Sequence, residues 1–449
     1  MLCRDCLVGV YRALETERVK ILSFNQTWLA DELRTLGHDV VTCGHTPDFE
    51  FRLPPRVSDI KEILAGLGSF SPDVLLYLDD SLPALIVSGL DTCDIPSVFY
   101  SVDTHHHKVV HSFVAPLFDH ILVAQRDYLS CFLERGLSAT WFPLWAPRFV
   151  EPRSEKRFAA AFVGTLDVNL NARRVAFFEA LVKRIPIHVT QGRWWEVFPF
   201  ADIVVNQSVQ RDLNFRVFEA MMCGSVLLTE RTSNGLLDLF RDGLHLVTYQ
   251  PDDIEEVVEK VVLLHRSRQT MQEIAHAGRE EILSRHTALH RAVALEQVLK
   301  TVRKNEHDPR RHYISMVNSA LINSLNQRRS ADPCLHAASA ALLAAEEGLR
   351  AQVHPSETET TFLISACGIF DKMTDSQAGE LLIQRFQESI PENPLLALAR
   401  IHRLLERGDS AEAERIAISL SGLHPEQTYM LAQQVIPKIV GGELTLQIE

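Results

Sequence analysis

From Val19 to Arg285 the chain alternates short β-rich apolar runs with helix-length segments, and that alternation leaves few folds open. Val19–Phe24, Asp39–Thr42, Val74–Leu78, Ser97–Ser101 and His120–Ala124 read as strands of a first sheet. They are short and mostly apolar, as strands covered on both faces should be. Strands joined through helices run parallel, which predicts a doubly wound sheet. The rhythm pauses at Trp145–Pro152, a linker, and resumes with Ala159–Thr165, Ile187–Thr190, Ala201–Asn206, Val226–Thr229 and Leu244–Val247. The predicted fold class is therefore α/β, with two Rossmann-like lobes at 19–147 and 148–304 behind an extension at 1–18. In the first lobe Pro83 is expected to open a helix. After about residue 305 the strand-like runs stop, and Ala, Leu, Glu and Arg dominate an all-helical segment, 305–449.

A length of 449 residues suits two or three domains with a large core. The net charge of −13 argues against a general binder of nucleic acid or anionic membrane. No apolar run approaches a membrane span, and the first residues contain no signal-peptide core, so a cytoplasmic protein is expected. Cys3 and Cys6 form one C-x-x-C without a second half, a weak basis for zinc. The remaining cysteines fall in apolar surroundings that suit reduced thiols.

The densest polar pattern is Asp212-Leu213-Asn214-Phe215-Arg216-Val217-Phe218-Glu219, running on to Gly224 and the strand beginning at Val226. Phe215, Phe218 and Met222 recur at helical spacing, and Gly224 sits where a left-handed helix terminus needs no Cβ. Asn214 and Arg216 fall in the first turn, where unpaired N–H groups and the helix dipole attract phosphate. Glu219, one turn on, suits a diol such as a ribose. The plain structural alternative is that Glu219 pairs with Arg216 inside a buried unit.

A second phosphate-facing corner is predicted at Gly164, where a strand ends and the backbone can approach a ligand closely. Arg173 and Arg174 follow in the next helix, Arg173 being nearer its start. Asn206 and Ser208 end the strand before Asp212 and line the same pocket. Ligands of such sheets bind at strand carboxyl ends, which in the first lobe singles out Asn25, Asp79-Asp80, Asp103 with His105-His106-His107, and Gln125-Arg126. Three histidines on a loop could hold a metal with Asp79 or Asp80, a metallohydrolase reading. Alternatively Asp103 caps a turn and the histidines are solvated or simply pack.

The segment Asn214-Phe215-Arg216-Val217-Phe218-Glu219-Ala220-Met221-Met222-Cys223-Gly224 resembles the donor-binding segment of GT-B glycosyltransferases. The resemblance is to the CgeB-type, spore-maturation glycosyltransferase-like family, with its N-x-R-x-F-E-A-x-x-C-G pattern. It is also similar to the E-x7-E motif of family 4 retaining glycosyltransferases, with Glu219 as the second Glu, the one expected at the donor ribose. Arg211 stands where the first Glu would be, so the stereochemistry of that family is not carried over. Phe162-Val163-Gly164-Thr165-Leu166 resembles the F-V-G-x-L opening of such a donor domain, and Phe240-Arg241-Asp242-Gly243 its F-x-D-G turn.

The resemblance covers roughly Val19 to Arg285 and implies a glycosyltransferase without a cofactor. Its donor would be a nucleotide-diphosphate sugar, held by Gly164, Arg173, Asn206, Asn214, Arg216 and Glu219. The loop Gln191-Gly192-Arg193 is where the base would lie, with Trp194 or Trp195 over its face. Asp103 or His105 would act on the acceptor, a glycan or protein. Helix N-termini and arginines, rather than a bound cation, would stabilise the departing diphosphate.

In the tail, Pro391-Glu392-Asn393-Pro394 starts a helix to Arg407, Gly408-Asp409 turns, and Ser410–Leu420 returns before His424-Pro425 starts another. That is a helix-turn-helix unit of about tetratricopeptide length, around 34 residues. Such repeats would dock an acceptor protein or mediate self-association. A binding scaffold without turnover is the rival reading, favoured by Arg211.

Overall fold

A computed structural model describes residues 17–79, 84–306, 308–326, 330–420 and 424–441. The first lobe is built on a seven-stranded parallel sheet. Its strands are β1 (Lys20–Phe24), β2 (Asp39–Gly44), β3 (Phe51–Arg52), β5 (Val74–Leu78), β7 (Ser97–Ser101), β8 (His120–Val123) and β9 (Ala139–Trp141), in the order β3-β2-β1-β5-β7-β8-β9. A short parallel pair, β4 (Ser58–Asp59) and β6 (Val87–Ser88), lies beside it. The second lobe has five parallel strands: β10 (Phe158–Val163), β11 (Ile187–Thr190), β12 (Ala201–Asn206), β13 (Val226–Glu230) and β14 (Val247–Tyr249). Their order is β11-β10-β12-β13-β14.

The period-two rule sorts the core. Leu22, Phe24, Leu75, Tyr77, Phe99 and Ile121 pack on one face of the first sheet, and Ile21, Leu76, Val98 and Leu122 on the other. That second cluster does not stop at the lobe boundary. It continues through Ala161, Val163, Val204 and Leu227 of the second sheet, with Val217, Phe218 and Met221 between them. One apolar core therefore runs through both lobes.

The chain also crosses back. The helix Ala288–Thr301 follows the second lobe in sequence but packs on the helix Ala30–Thr35 of the first. There the buried His38 Nε2 lies 3.1 Å from Glu296 Oε1. The Arg291 guanidinium donates to the Leu144 carbonyl at 3.1 Å, and Ala146 N–H to the His286 carbonyl at 2.8 Å.

Beyond residue 308 the described chain is helical: Arg311–Asn326, Ala331–Arg350, Glu357–Thr374, Ala378–Ser389, Pro394–Glu406, Ser410–Ser419 and Pro425–Val440. The caps are those the sequence announces. The Asn393 side chain accepts from the Leu395 and Leu396 N–H groups at 3.1 and 3.2 Å, Gly408 takes φ 78°, and Asp409 accepts from Glu412 N–H at 3.2 Å. The domain is seated on the first lobe through Asp119. That fully buried carboxylate accepts from Ser97 N–H and Oγ at 2.8 and 2.9 Å, from Asn305 N–H at 3.0 Å and from Lys304 Nζ at 3.3 Å.

Three expectations change. Asp103–His107 is not a loop: the helix Thr104–Val114 begins there, with a break at His107 (φ −120°, ψ 24°). Residues 84–86 form no helix and lead into β6, while Pro83 and Asp80 lie outside the described residues, as do Cys3 and Cys6. The strand expected at Leu244–Val247 starts only at Val247. A turn around Gly243 (φ 77°), closed by Gly243 N–H to the Leu246 carbonyl at 2.8 Å, uses up the residues before it.

Candidate active site

The helix Phe215–Met222 leaves the carboxyl end of β12 through the loop Gln207–Asn214. Its apolar face (Val217, Phe218, Ala220, Met221, Met222) is buried, and Gly224 takes φ 66° after its end. Asn214 is its N-cap residue with extended backbone (φ −87°, ψ 169°), but the side chain caps no helix N–H group. Instead Nδ2 reaches Asp212 Oδ1 at 3.2 Å, and the buried Oδ1 has no hydrogen-bond partner. Asp212 is held by Val209 N–H at 2.6 Å, and burial raises its pKa.

Arg216 turns inward from the first turn. Its Nε donates to the Val163 carbonyl at 2.9 Å and Nη1 to Asn206 Oδ1 at 2.7 Å, the last residues of β10 and β12. The guanidinium lies 4.4 Å over the Phe162 ring. Burial, then the nearby Arg174, pulls its pKa down to about 10. Gly164 makes this placement possible: a Cβ there would sit 2.8 Å from Phe162 Cζ and closer still to Arg216 Nη2. Asn206 is itself fixed by Nδ2 donating to Thr229 Oγ1 at 3.0 Å.

The two arginines of the helix Val168–Leu181 have separate fates. Arg173 donates from Nε to Asp252 Oδ1 at 2.7 Å and from Nη2 to Glu230 Oε1 at 2.6 Å. Glu230 is buried at the end of β13 and also accepts from Ser208 N–H at 3.1 Å. Arg174 is the buried one, donating to Gln207 Oε1 at 3.2 Å and to the Gln207 carbonyl at 3.1 Å, 5.6 Å over the same Phe162 ring. The structure thus sets Arg174 beside Arg216, and ties Arg173 to carboxylates. Gly192 takes φ 106° in the loop after the edge strand β11, and Arg193 there pairs with Glu196 at 3.0 Å. Trp194 packs on the common core, and Trp195 lies under Arg148 at 4.7 Å.

Glu219 shares the face of Arg216, one turn on. It keeps partial solvent access yet lies deep among protein atoms, and burial raises its pKa to about 7, with Arg216 opposing. Among the described residues no hydrogen bond or ion pair engages its carboxylate, so the simple Glu219–Arg216 pair is not formed. A desolvated carboxyl with unused acceptor capacity is what a diol-bearing ligand would satisfy.

The first lobe faces this helix at two places. After β1, Trp28 meets Phe215 edge-on at 5.5 Å, with Trp145 completing the cluster. After β8, Gln125 Oε1 accepts from Leu213 N–H at 2.8 Å, Asp127 N–H donates to Asn234 Oδ1 at 2.9 Å, and Arg126 pairs with Asp238. Gly235 (φ 85°) fits against Trp141, whose Cη2 a Cβ would approach to 2.8 Å. The order β1-β5-β7-β8 puts the exits of β5 and β7 between these contacts, a span of about 14 Å at about 4.8 Å per strand.

Asp79 and the Asp103–His105 turn leave the sheet in that interval. Asp79 Oδ2 accepts from Val102 and Asp103 N–H at 3.2 and 3.0 Å. His111, absent from any sequence pattern noted above, is buried with Nδ1 2.8 Å from Ser101 Oγ and Nε2 3.6 Å from Asp79 Oδ2. Burial, then His107, lowers its pKa to about 3. His105 is buried with an unpartnered Nδ1; burial, then His106, lowers its pKa to about 4. His106 is exposed. Among the described residues no group of three or more His, Cys, Asp and Glu side chains is arranged to hold a metal ion.

Residues 148–297, the second lobe and its return helix, match the family described as Glycosyl transferase-like. Three solved structures are among those similar to this chain. A glycosyltransferase from Rickettsia africae ESF-5 is 10% identical over 65% of this chain and 100% of its own, with a TM-score of 0.47. Anabaena HepE, in complex with UDP and glucose, is 11% identical over 63% and 100%, at 0.49. A sucrose-phosphate synthase from Thermosynechococcus elongatus is 11% identical over 63% and 98%, at 0.45. No curated protein has a matching sequence. The match falls on the second lobe of a two-lobed α/β chain with an all-helical C-terminal region. No helix among the described residues is long and apolar enough to cross a membrane.

Proposed function

We propose that the protein transfers a sugar from a nucleotide-diphosphate donor to a hydroxyl acceptor, a glycan or protein, with no cofactor and no metal. The observation that carries this is the buried Arg216 guanidinium, fixed at the carboxyl ends of β10 and β12 by the Val163 carbonyl and Asn206, beside an unengaged Glu219. The donor diphosphate would meet Arg216, the Asn214 end of the helix and the close backbone at Gly164, with Arg174 adding positive potential; Glu219 would take the ribose diol. Arg173 would act through Glu230, holding the Ser208 loop. The base would rest by Gly192 and Arg193.

In the transfer, the bond from the anomeric carbon to the diphosphate oxygen breaks and its electron pair leaves with the diphosphate. A bond forms from that carbon to the acceptor oxygen, whose proton passes to Asp103 or His105. The lowered pKa of His105 leaves its ring neutral at pH 7 and able to accept. Charge accumulating on the diphosphate is where fixed guanidinium and N–H dipoles lower the barrier.

The CgeB-type pattern at Asn214–Gly224 supports a place in that group. The 394–440 helices, with their short Gly408-Asp409 turn, support a tetratricopeptide-like role in docking the acceptor. Five buried free thiols support a reducing compartment, the cytoplasm.

The test is thermal shift of the full chain against a panel of nucleotide sugars, followed by assay of donor hydrolysis with and without chelator. A matching donor should raise Tm and be consumed equally in both conditions. If no donor shifts Tm and none is hydrolysed, the scaffold reading with Arg211 in place of an acidic residue stands instead.

A further inference from the structure

The second lobe has a basic hollow on the side away from the site just described. It measures about 670 Å³ and lies between the linker at 152–156, the amino end of β12 and one face of the helix Arg268–Arg285. Four cations, Arg153, Lys156, Arg268 and Arg279, line it against two carboxylates, Asp202 and Glu280. In a chain whose net charge is −13, a local excess of positive charge stands out.

Part of that charge is already used. Arg279 Nη1 donates to the Met222 carbonyl and to the Val150 carbonyl at 2.7 Å, and Lys156 Nζ donates to the Pro199 carbonyl at 2.9 Å and lies 3.5 Å from the Gly224 carbonyl. The Met222 and Gly224 contacts offset the negative end of the helix Phe215–Met222. Arg268 pairs with Asp202 at 3.3 Å, and Arg279 Nη2 with Glu151 Oε2 at 3.1 Å. What is left over points to a ligand. Lys156 has neutral carbonyl partners and no carboxylate in ion-pair reach among the described residues, and burial lowers its pKa. Among the described residues the Arg153 guanidinium has only the Phe200 ring, at 6.0 Å. Arg268 and Arg279 stand eleven residues apart on one helix, about 16 Å at 1.5 Å per residue, and both are ion-paired, so the charge left for a ligand is that of Lys156 and Arg153.

We propose that this hollow binds a phosphate-bearing ligand, separately from the donor. Bridging anionic oxygens would compensate Lys156 and Arg153 and occupy the space between them. The ligand would touch the linker that joins the lobes. It would also touch the C-terminal end of the helix that carries Arg216 and Glu219. A phosphate bound here is thus placed to influence the donor cradle from behind.

The test labels Lys156 in the intact protein with pyridoxal phosphate, an anionic aldehyde that condenses with a free amine, followed by borohydride reduction and peptide mapping. Lys156 should be modified ahead of exposed lysines, inorganic pyrophosphate should protect it, and Arg153→Glu should cut its labelling at least fivefold. Because Arg153 is exposed, that variant should keep the parent Tm and the parent response to nucleotide sugars. A second arm replaces pyrophosphate with phosphatidylglycerol vesicles; protection by vesicles alone assigns the phosphate to a lipid headgroup, and protection by pyrophosphate assigns it to a soluble ligand. Labelling of Lys156 at the rate of surface lysines, or no protection by either probe, overturns the proposal.

Discussion

Replacing Glu219 by glutamine separates a binding carboxylate from a structural one, because the two roles give opposite signs of stability. In the folded protein burial raises the Glu219 pKa from 4.5 to about 7. Below pH 4.5 both folded and unfolded chains hold the proton, and nothing is lost. Between 4.5 and about 7 the folded state keeps a proton that the unfolded state has released, so stability falls as pH rises. At about 1.4 kcal/mol per pKa unit the whole interval amounts to about 3 kcal/mol. Solvent reaching the edge of this side chain screens part of that, leaving about 1–3 kcal/mol. Glu219→Gln keeps the shape and removes the charge. It is therefore expected to match the parent near pH 4.5 and to exceed it by about 1–3 kcal/mol at pH 8, while losing the Tm rise induced by a nucleotide sugar. Urea denaturation at both pH values reads the first effect and thermal shift the second. A variant less stable than the parent at pH 8 would mean that the carboxylate serves as a partner for Arg216, and the argument for a ligand at Glu219 would fail.

Gly164→Ala places a methyl group against Phe162 and the Arg216 guanidinium, so overpacking of about 1–3 kcal/mol is expected, together with loss of the donor-induced Tm shift; unchanged donor binding would show that Arg216 can move aside. His105→Ala should lower turnover and leave donor binding intact. In the parent, turnover should fall as pH drops through about 4, where His105 takes up a proton; equal loss of donor binding would argue against an acceptor-side role. Asp119→Ala strips Lys304, Asn305 and the buried Ser97 N–H of their shared acceptor. A cost of about 3–5 kcal/mol is expected, read as faster proteolysis near residue 305. Parental resistance would mean that the helical region is held mainly by its apolar contacts.

Much of the scaffold was legible because the strands are covered on both faces. Ile187–Thr190 and Ala201–Asn206 fall where their apolar runs place them, as does the helix Phe215–Met222 with its glycine stop. The way Arg173 and Arg174 face was not legible. The helix breaks at Asn171 (φ −155°, ψ 75°), so counting residues from its start gives no reliable facing, and it is Arg174 that turns toward Phe162. The helix Thr104–Val114 was missed because a run of three histidines carries no apolar period. His111 meets Ser101 at the end of β7 and Asp79 just after β5 through strand pairing that no local spacing encodes.

The return of Ala288–Thr301 to the first lobe governs how this molecule can be dissected. A fragment ending at residue 147 would lose the helix that packs on Ala30–Thr35 and leave His38 without Glu296. One spanning 148–304 would carry a helix whose partner has been cut away. Expression of halves should yield aggregates, and recombining them from denaturant should recover more native material than either produces singly. The two lobes behave as a clasp whose tongue is sewn to the opposite side.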